Sequence, residues 1–246
     1  MRFPKRLSKY HVPSLFTLMN MFLGFLAVIS IAEGYVIRAG YLILAAGIFD
    51  ILDGKIARWS HGLSRFGMEL DSLADVVSFC LAPALMVWFL YTSELHPIVG
   101  ALIAGAPMYF GAIRLARYNE GESTAPLSYF VGLPSPVNAT VVVGLVFYYN
   151  HYGFGGGPQI ILPAVMASSI LMISHIPYPK PPFLSIHKGW GNNIYLGGVL
   201  LVILCAMIWG AWVLLPGIAV YVITGLIRWL TRAYSTEELQ SVEKEI

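Results

Sequence analysis

Long uninterrupted apolar runs dominate this chain, and its charged residues fall between the runs more than within them. About 20 consecutive apolar residues cross a bilayer as a helix, so the gaps between charges locate candidate spans. No charge separates Lys9 from Glu33, and the gaps from Asp75 to Glu94 and from Glu94 to Arg114 each suit one crossing. The gaps from Glu122 to Lys180 and from Lys188 to Arg228 are each long enough for two. Turn chemistry is strongest at Gly153 to Pro158 (GFGGGP) and near Pro216-Gly217, which is where those two long gaps are expected to break. One further segment, about residues 36 to 57, starts apolar but carries Asp50, Asp53 and Lys55 in its C-terminal half. The pattern therefore predicts an all-α polytopic membrane protein of eight transmembrane helices, with both termini on one side.

Composition agrees. The 246 residues are 57% hydrophobic and 11% charged, against roughly a quarter charged in ordinary soluble domains. This excludes a soluble globular protein, and the high hydropathy excludes disorder. Cys80 and Cys205 are far apart inside apolar runs, which leaves no disulfide framework or cysteine metal site. A formal charge of +2 does not suggest a nucleic-acid partner. The placement of the positive charges is more telling. With eight spans, all but Arg38 of the 15 Lys and Arg residues fall on the side of the termini, and Lys and Arg are retained on the cytoplasmic side. The expected organisation is a single transmembrane domain over residues 1–246. It comprises a basic interfacial segment at 1–11, a helical bundle at 12–232 and a short cytoplasmic tail at 233–246.

Four carboxylates stand where hydropathy forbids them. Asp50, Asp53, Asp71 and Asp75 lie in or at the cytoplasmic ends of apolar helices, where an unpaired charge costs several kcal/mol on the order of translocon and burial scales. Asp50 and Asp53 are i,i+3 on the second helix, and Asp71 and Asp75 are i,i+4 on the third, so each pair shares a helix face. The short cytoplasmic loop from Trp59 to Phe66 lets those faces turn toward each other. Salt bridges to Lys55, Arg58 and Arg65 would account for one or two of the carboxylates, but not for four on inward faces. Hard divalent cations take oxygen ligands and neutralise such a cluster, so a one- or two-metal site for Mg²⁺ or Mn²⁺ is expected. Glu69 falls on another side of the third helix, four residues after Arg65, and reads as its interfacial ion-pair partner.

Glycines flank the carboxylates. Gly54 and Gly67 lack side chains where a ligand or the facing helix must approach the backbone. The whole segment reads Asp50-x2-Asp53-Gly54-x2-Ala57-Arg58-x8-Gly67-x3-Asp71-x3-Asp75. It resembles the signature of the CDP-alcohol phosphatidyltransferases at all eight defining positions and in every spacing. The segments Asp71 to Pro83 (DSLADVVSFCLAP), Arg114 to Asn119 (RLARYN), Phe130 to Pro136 (FVGLPSP) and Thr17 to Phe25 (TLMNMFLGF) are similar to the phosphatidylserine synthase branch in particular. Together these cover roughly the first 140 residues.

The resemblance implies a membrane-embedded homodimer with a six-helix core per chain, to which two C-terminal helices are added here. It implies a divalent metal and transfer of a phosphatidyl group from CDP-diacylglycerol, or an ether-lipid analogue, onto an alcohol with release of CMP. In the indicated branch that alcohol is L-serine. By resemblance, the Asp50, Asp53 and Asp71 positions bind metal, and the Asp75 position is the general base with a possible second-metal contact. Spacing alone does not separate Asp71 from Asp75. The resemblance also places the CDP-lipid against Gly54, Ala57, Arg58 and Gly67, with Pro13 and Thr17 of the first helix nearby.

The chemistry suits these residues independently. Metals and Arg screen a pyrophosphate, and an alcohol is a poor nucleophile until a base takes its proton. A serine zwitterion needs a cation for its carboxylate and acceptors for its ammonium, and Arg is the best geometric match to a carboxylate. Arg114 and Arg117, three apart at the cytoplasmic end of the fourth span, are candidates, as are Asn20 and Ser78 in apolar helices. Positive-inside anchoring would equally explain the two arginines, and interhelical hydrogen bonding would explain Asn20 and Ser78. Glycerol phosphate, inositol phosphate or inositol are alternative acceptors, of which the phosphate-bearing ones would be expected to demand more basic residues around the pocket. An ion transporter would spread its carboxylates through the bilayer depth, and a prenyltransferase-type enzyme lacks the Gly-x2-Ala-Arg element.

Overall fold

The computed structural model describes residues 8–59, 65–121, 129–152, 157–179 and 211–233. The expected tail, most of the seventh span and residues 1–7 of the interfacial segment lie outside these, while residues 8–11 already belong to the first helix.

Helix α1 (Ser8–Ala32) hands over to α2 (Val36–Trp59) through a turn at Gly34. Gly34 has φ 83°, the left-handed region that favours glycine. Tyr35 N–H donates to Ser30 C=O and Gly34 N–H to Ile31 C=O. These paired bonds end α1 as a Schellman motif and fold α2 back along it.

The third span is one apolar stretch, Arg65–Tyr91, with a change of winding inside it. Helix α3 (Arg65–Asp75) passes into a π-helical segment (Val76–Leu81) and then into α4 (Ala82–Tyr91). Ala82 N–H donates to Val77 C=O, five residues back, and Pro83 comes next with no N–H to give. The wider winding of the π segment shifts the side-chain register of α4 relative to that of α3. Helices α5 (Pro97–Ala104) and α6 (Ala106–Gly121) form the next span, bent by 42° at Gly105.

Helix α7 (Ser135–Tyr152) stops just before the predicted GFGGGP break and α8 (Gly157–Ile173) starts at its last glycine. The second predicted break does not occur. Helix α9 (Ala211–Ala233) runs straight through Pro216-Gly217. A proline this close to a helix start forfeits a single backbone bond, a cost that membrane helices tolerate.

The fold is all-α as expected, with a minimal two-stranded ribbon among the described residues. Strand β1 (Tyr129–Val131) pairs antiparallel with β2 (Pro177–Pro179), Phe130 opposite Tyr178. With proline at each end, only Tyr178 of β2 retains a backbone N–H, so the ribbon is minimal. It joins the chain after α6 to the chain after α8, and Tyr178 is wholly buried against α9. There its ring stacks on Tyr221 (centroids 5.6 Å apart, 19° between planes) and lies over Gly225.

The main core lies between α1, α2, α4, α7 and α8, with Ile43, Phe79, Met86, Val142, Val143 and Val146 fully or almost fully buried. Many large apolar side chains face outward, among them Leu15, Phe22, Phe89, Leu102, Ile160 and Ile223, as a lipid-facing surface requires. The protein is a helical membrane protein. Among the described residues three helices are long and apolar enough to cross a bilayer, and a fourth if the bent α5–α6 pair is one span. Helix α2 is not among them because Arg38, Asp50, Asp53 and Lys55 interrupt it, and α8 because it has only 17 residues.

Candidate active site

The site is assembled from four elements. Helix α2 brings Asp50 and Asp53, α3 brings Asp71 and Asp75, α1 lies across both, and α6 contributes Arg114. One oxygen each of Asp50, Asp53 and Asp71 lies within 4.8 Å of the other two, an arrangement that could hold a metal ion. Helical periodicity explains why Asp50 and Asp53 share a face, and the α2–α3 hairpin supplies Asp71. Asp75 stands beside this trio and is in hydrogen-bonding contact with Asp50.

The donor set fits a hard divalent cation. All candidate ligands are carboxylate oxygens, and like charges at this separation repel unless a cation or proton intervenes. Asp53 is 4% exposed; it accepts hydrogen bonds from the Thr17 hydroxyl and the Gly54 N–H, while its Oδ2 is buried without a hydrogen-bond partner among the described residues. A buried carboxylate oxygen with spare capacity, on a residue clustered with two other carboxylates, suits a metal ligand.

Helix α1 fixes Asp75 from the other side. Asn20 is fully buried, and its Nδ2 donates to Asp75 Oδ1 at 3.5 Å. The helix crossing that brings Asn20 there depends on Gly24, one turn on, where a Cβ would lie 2.8 Å from the Ser78 Cα. Ser78 Oγ donates to the Asn20 backbone C=O at 2.9 Å. Ser78 is thus engaged in the interhelical hydrogen bond, whereas Asn20 faces the site with its Oδ1 still unpartnered among the described residues.

The two arginines part company. Arg114 lies close enough to Asp75 and Asp50 to interact with both charges, and its Nη1 donates to Ser135 Oγ on α7 at 3.2 Å. Arg117 is exposed and donates to the Ile173 C=O at the end of α8 at 3.4 Å, where a cation also meets the negative end of the helix dipole. The sequence leaves site-facing and anchoring roles equally open for the pair; here α6 brings Arg114 beside the carboxylates, while Arg117 lies at the end of α8. Arg65 pairs with Glu69 at 3.1 Å, as the sequence suggests, and not with an aspartate.

Gly54 and Gly67 are half-buried beside the carboxylates. Pro13 lies on α1 and Ala57 and Arg58 on α2, but their side chains fall outside the described residues. Sequence reasoning passed over two buried polar residues of α7, Ser135 and Asn138. The signal that would have found them is the one used for the aspartates, namely polar residues three apart on one face of an apolar helix.

Comparison with known proteins fits this geometry. The sequence profile of the CDP-alcohol phosphatidyltransferases matches residues 10–176, more than half of the chain and inclusive of every acidic residue of the site. A CDP-diacylglycerol–serine O-phosphatidyltransferase of Helicobacter pylori is 34% identical over 223 residues, covering 90% of this chain and 92% of that protein. One of Methanocaldococcus jannaschii is 33% identical over 219 residues, covering 87% and 92%. One of Bacillus subtilis is 32% identical over 170 residues, covering 69% and 90%. With the signature aspartates converging on adjacent helices and this extent of similarity, the chain belongs to the CDP-alcohol phosphatidyltransferase family.

Proposed function

We propose that this enzyme transfers the phosphatidyl group of CDP-diacylglycerol, or of an ether-linked analogue, to the hydroxyl of L-serine and releases CMP. The observation that carries the reading is the convergence of Asp50, Asp53 and Asp71 within 4.8 Å, with Asp75 against Asp50. The names of the similar Helicobacter, Methanocaldococcus and Bacillus proteins supply the acceptor, serine.

In this reading Asp50, Asp53 and Asp71 hold Mg²⁺ or Mn²⁺, with Asp75 at the edge of the same site. Bound there, the cation screens the pyrophosphate and stabilises the charge that develops on its oxygens. Thr17 keeps Asp53 oriented through its hydroxyl. Gly54, Ala57, Arg58 and Gly67, with Pro13 and Thr17, form the side of the site that takes the CDP-lipid. Asp75 accepts the proton of the serine hydroxyl as the new oxygen–phosphorus bond forms and the bond to the CMP oxygen breaks. Asn20 holds Asp75 in place for that transfer, and the Arg114 guanidinium meets the serine carboxylate. A base works only from a fixed position within hydrogen-bond reach of its proton. Arg117 and Ser78 serve the scaffold.

The bundle has eight spans, the last two being additions to a six-helix core, and two chains associate as a homodimer. Both termini and the site face the cytoplasm, a reading supported by the basic residues that gather on that side. The test is CMP release by purified protein with CDP-diacylglycerol and a panel of radiolabelled alcohols, with and without chelator. Label appearing in lipid from glycerol phosphate or inositol phosphate but not from serine would overturn the acceptor assignment.

A further inference from the structure

Buried polar groups are nearly always hydrogen-bonded, and one that is not calls for a partner the protein itself does not contain. Asn138 on α7 is completely buried, yet neither its Nδ2 nor its Oδ1 has a hydrogen-bond partner among the described residues. It lies one turn beyond Ser135 and on the same helix face. Ser135 is also fully buried and holds Nη1 of Arg114, whose Nε is likewise buried and unpartnered among the described residues. Arg114 in turn stands next to Asp75. The unused hydrogen-bonding capacity is thus that of Arg114 Nε, beside Asp75, and of Asn138, linked to Arg114 through Ser135 one turn away.

We infer that Asn138 is a specificity-determining residue for the acceptor: its carboxamide receives the charged head of an amino-acid alcohol beside the Arg114 guanidinium. This deepens the reading of serine as acceptor and rests on it. The chemistry matches group by group. A zwitterion offers N–H donors on its ammonium and oxygen acceptors on its carboxylate, and a carboxamide is the side chain that answers both, through Oδ1 and Nδ2. Arg114 alone would hold a carboxylate but would repel an ammonium. A phosphate-bearing acceptor would leave Asn138 Oδ1 facing anionic oxygens that have no hydrogen to give. Discrimination of this kind is strong because the wrong ligand strands buried polar atoms.

The test compares wild type with Asn138→Leu, which keeps the bulk and removes both polar atoms, and with Asn138→Ala, which adds no new contacts if the leucine is not accommodated. KM for L-serine and KM for CDP-diacylglycerol are measured separately, together with turnover of 3-hydroxypropionate, a serine lacking the ammonium. The expected result is a rise of roughly 10- to 100-fold in KM for serine, the usual loss for a hydrogen bond to a charged group. The preference for serine over 3-hydroxypropionate should shrink by a similar factor, and KM for CDP-diacylglycerol should stay unchanged. An unchanged serine KM and preference, or parallel losses toward both substrates with a lowered melting temperature, would overturn the assignment by showing Asn138 to be inert or structural. Absence of serine-dependent CMP release in the wild type would instead sink the acceptor reading beneath it.

Discussion

Replacing Asp75 by asparagine separates catalysis from binding. The substitution preserves size, and the structure offers the new amide both of the contacts Asp75 has now. Its carbonyl can take the Asn20 Nδ2 donor that sits 3.5 Å from Oδ1, and its NH₂ can face the Asp50 carboxylate. The structural cost is then that of one altered hydrogen bond, about 1 kcal/mol. What the amide cannot do is accept the proton of the serine hydroxyl. Losing general-base help lowers turnover by roughly 10²- to 10⁴-fold, which at about 1.4 kcal/mol per factor of ten is about 3 to 5 kcal/mol of lost barrier lowering. The two magnitudes are far enough apart to measure. The assay pairs turnover at saturating serine with calorimetric binding of CDP-diacylglycerol in wild type and Asp75→Asn. Turnover should collapse while nucleotide-lipid affinity holds, because Asp50, Asp53 and Asp71 are untouched. Near-normal turnover would remove Asp75 from the base role, and a loss of binding as large as the loss of rate would make it chiefly a metal ligand.

Three further outcomes are expected. Excess chelator should abolish CMP release, and adding back Mg²⁺ or Mn²⁺ should restore it; full turnover without a divalent ion would contradict the metal site. Asp53→Ala should eliminate metal-supported CDP-lipid binding, whereas Glu69→Ala should leave substantial activity, since Glu69 and Arg65 are 60% and 90% exposed and such surface pairs contribute about 0–1 kcal/mol; equal losses would show the face assignment to be wrong. Gly24→Val should lower the melting temperature in detergent, because its Cβ would stand 2.8 Å from the Ser78 Cα where α1 crosses the π segment and overpacking of this kind costs about 1–3 kcal/mol; an unshifted transition would mean the crossing is looser than the structure has it.

Much of this protein is decided along the chain itself. A membrane admits few conformations, since every backbone polar group in lipid must be satisfied internally. Apolar runs therefore read directly as helices, and the Gly-rich stretch at 153–158 reads as a break. The aspartates are equally legible, because i,i+3 and i,i+4 spacings place side chains on one face whatever surrounds the helix. The spacing of the signature residues also carries the family, which the profile match over residues 10–176 bears out.

Other features arise only when the helices meet. Periodicity says which residues share a face, but the rotation of that face about its axis is set by packing against neighbours. The crossing at Gly24 and Ser78 turns Asn20 toward Asp75, and α6 presents Arg114 to the carboxylates while Arg117 caps α8. Spacing left Asp71 and Asp75 equivalent, and the tertiary structure sets Asp71 with Asp50 and Asp53 and leaves Asp75 beside them. The β1–β2 ribbon joins segments that are distant in sequence and too short for either to announce a strand. Pro216 reads as a break because proline removes one local hydrogen bond, but α9 continues through it. Asn138 looks like an ordinary helix-start residue until the fold buries it one turn from the partner of Arg114. In each case a local preference of about 1–3 kcal/mol competes with the packing of whole helices, and that sum is made only in three dimensions.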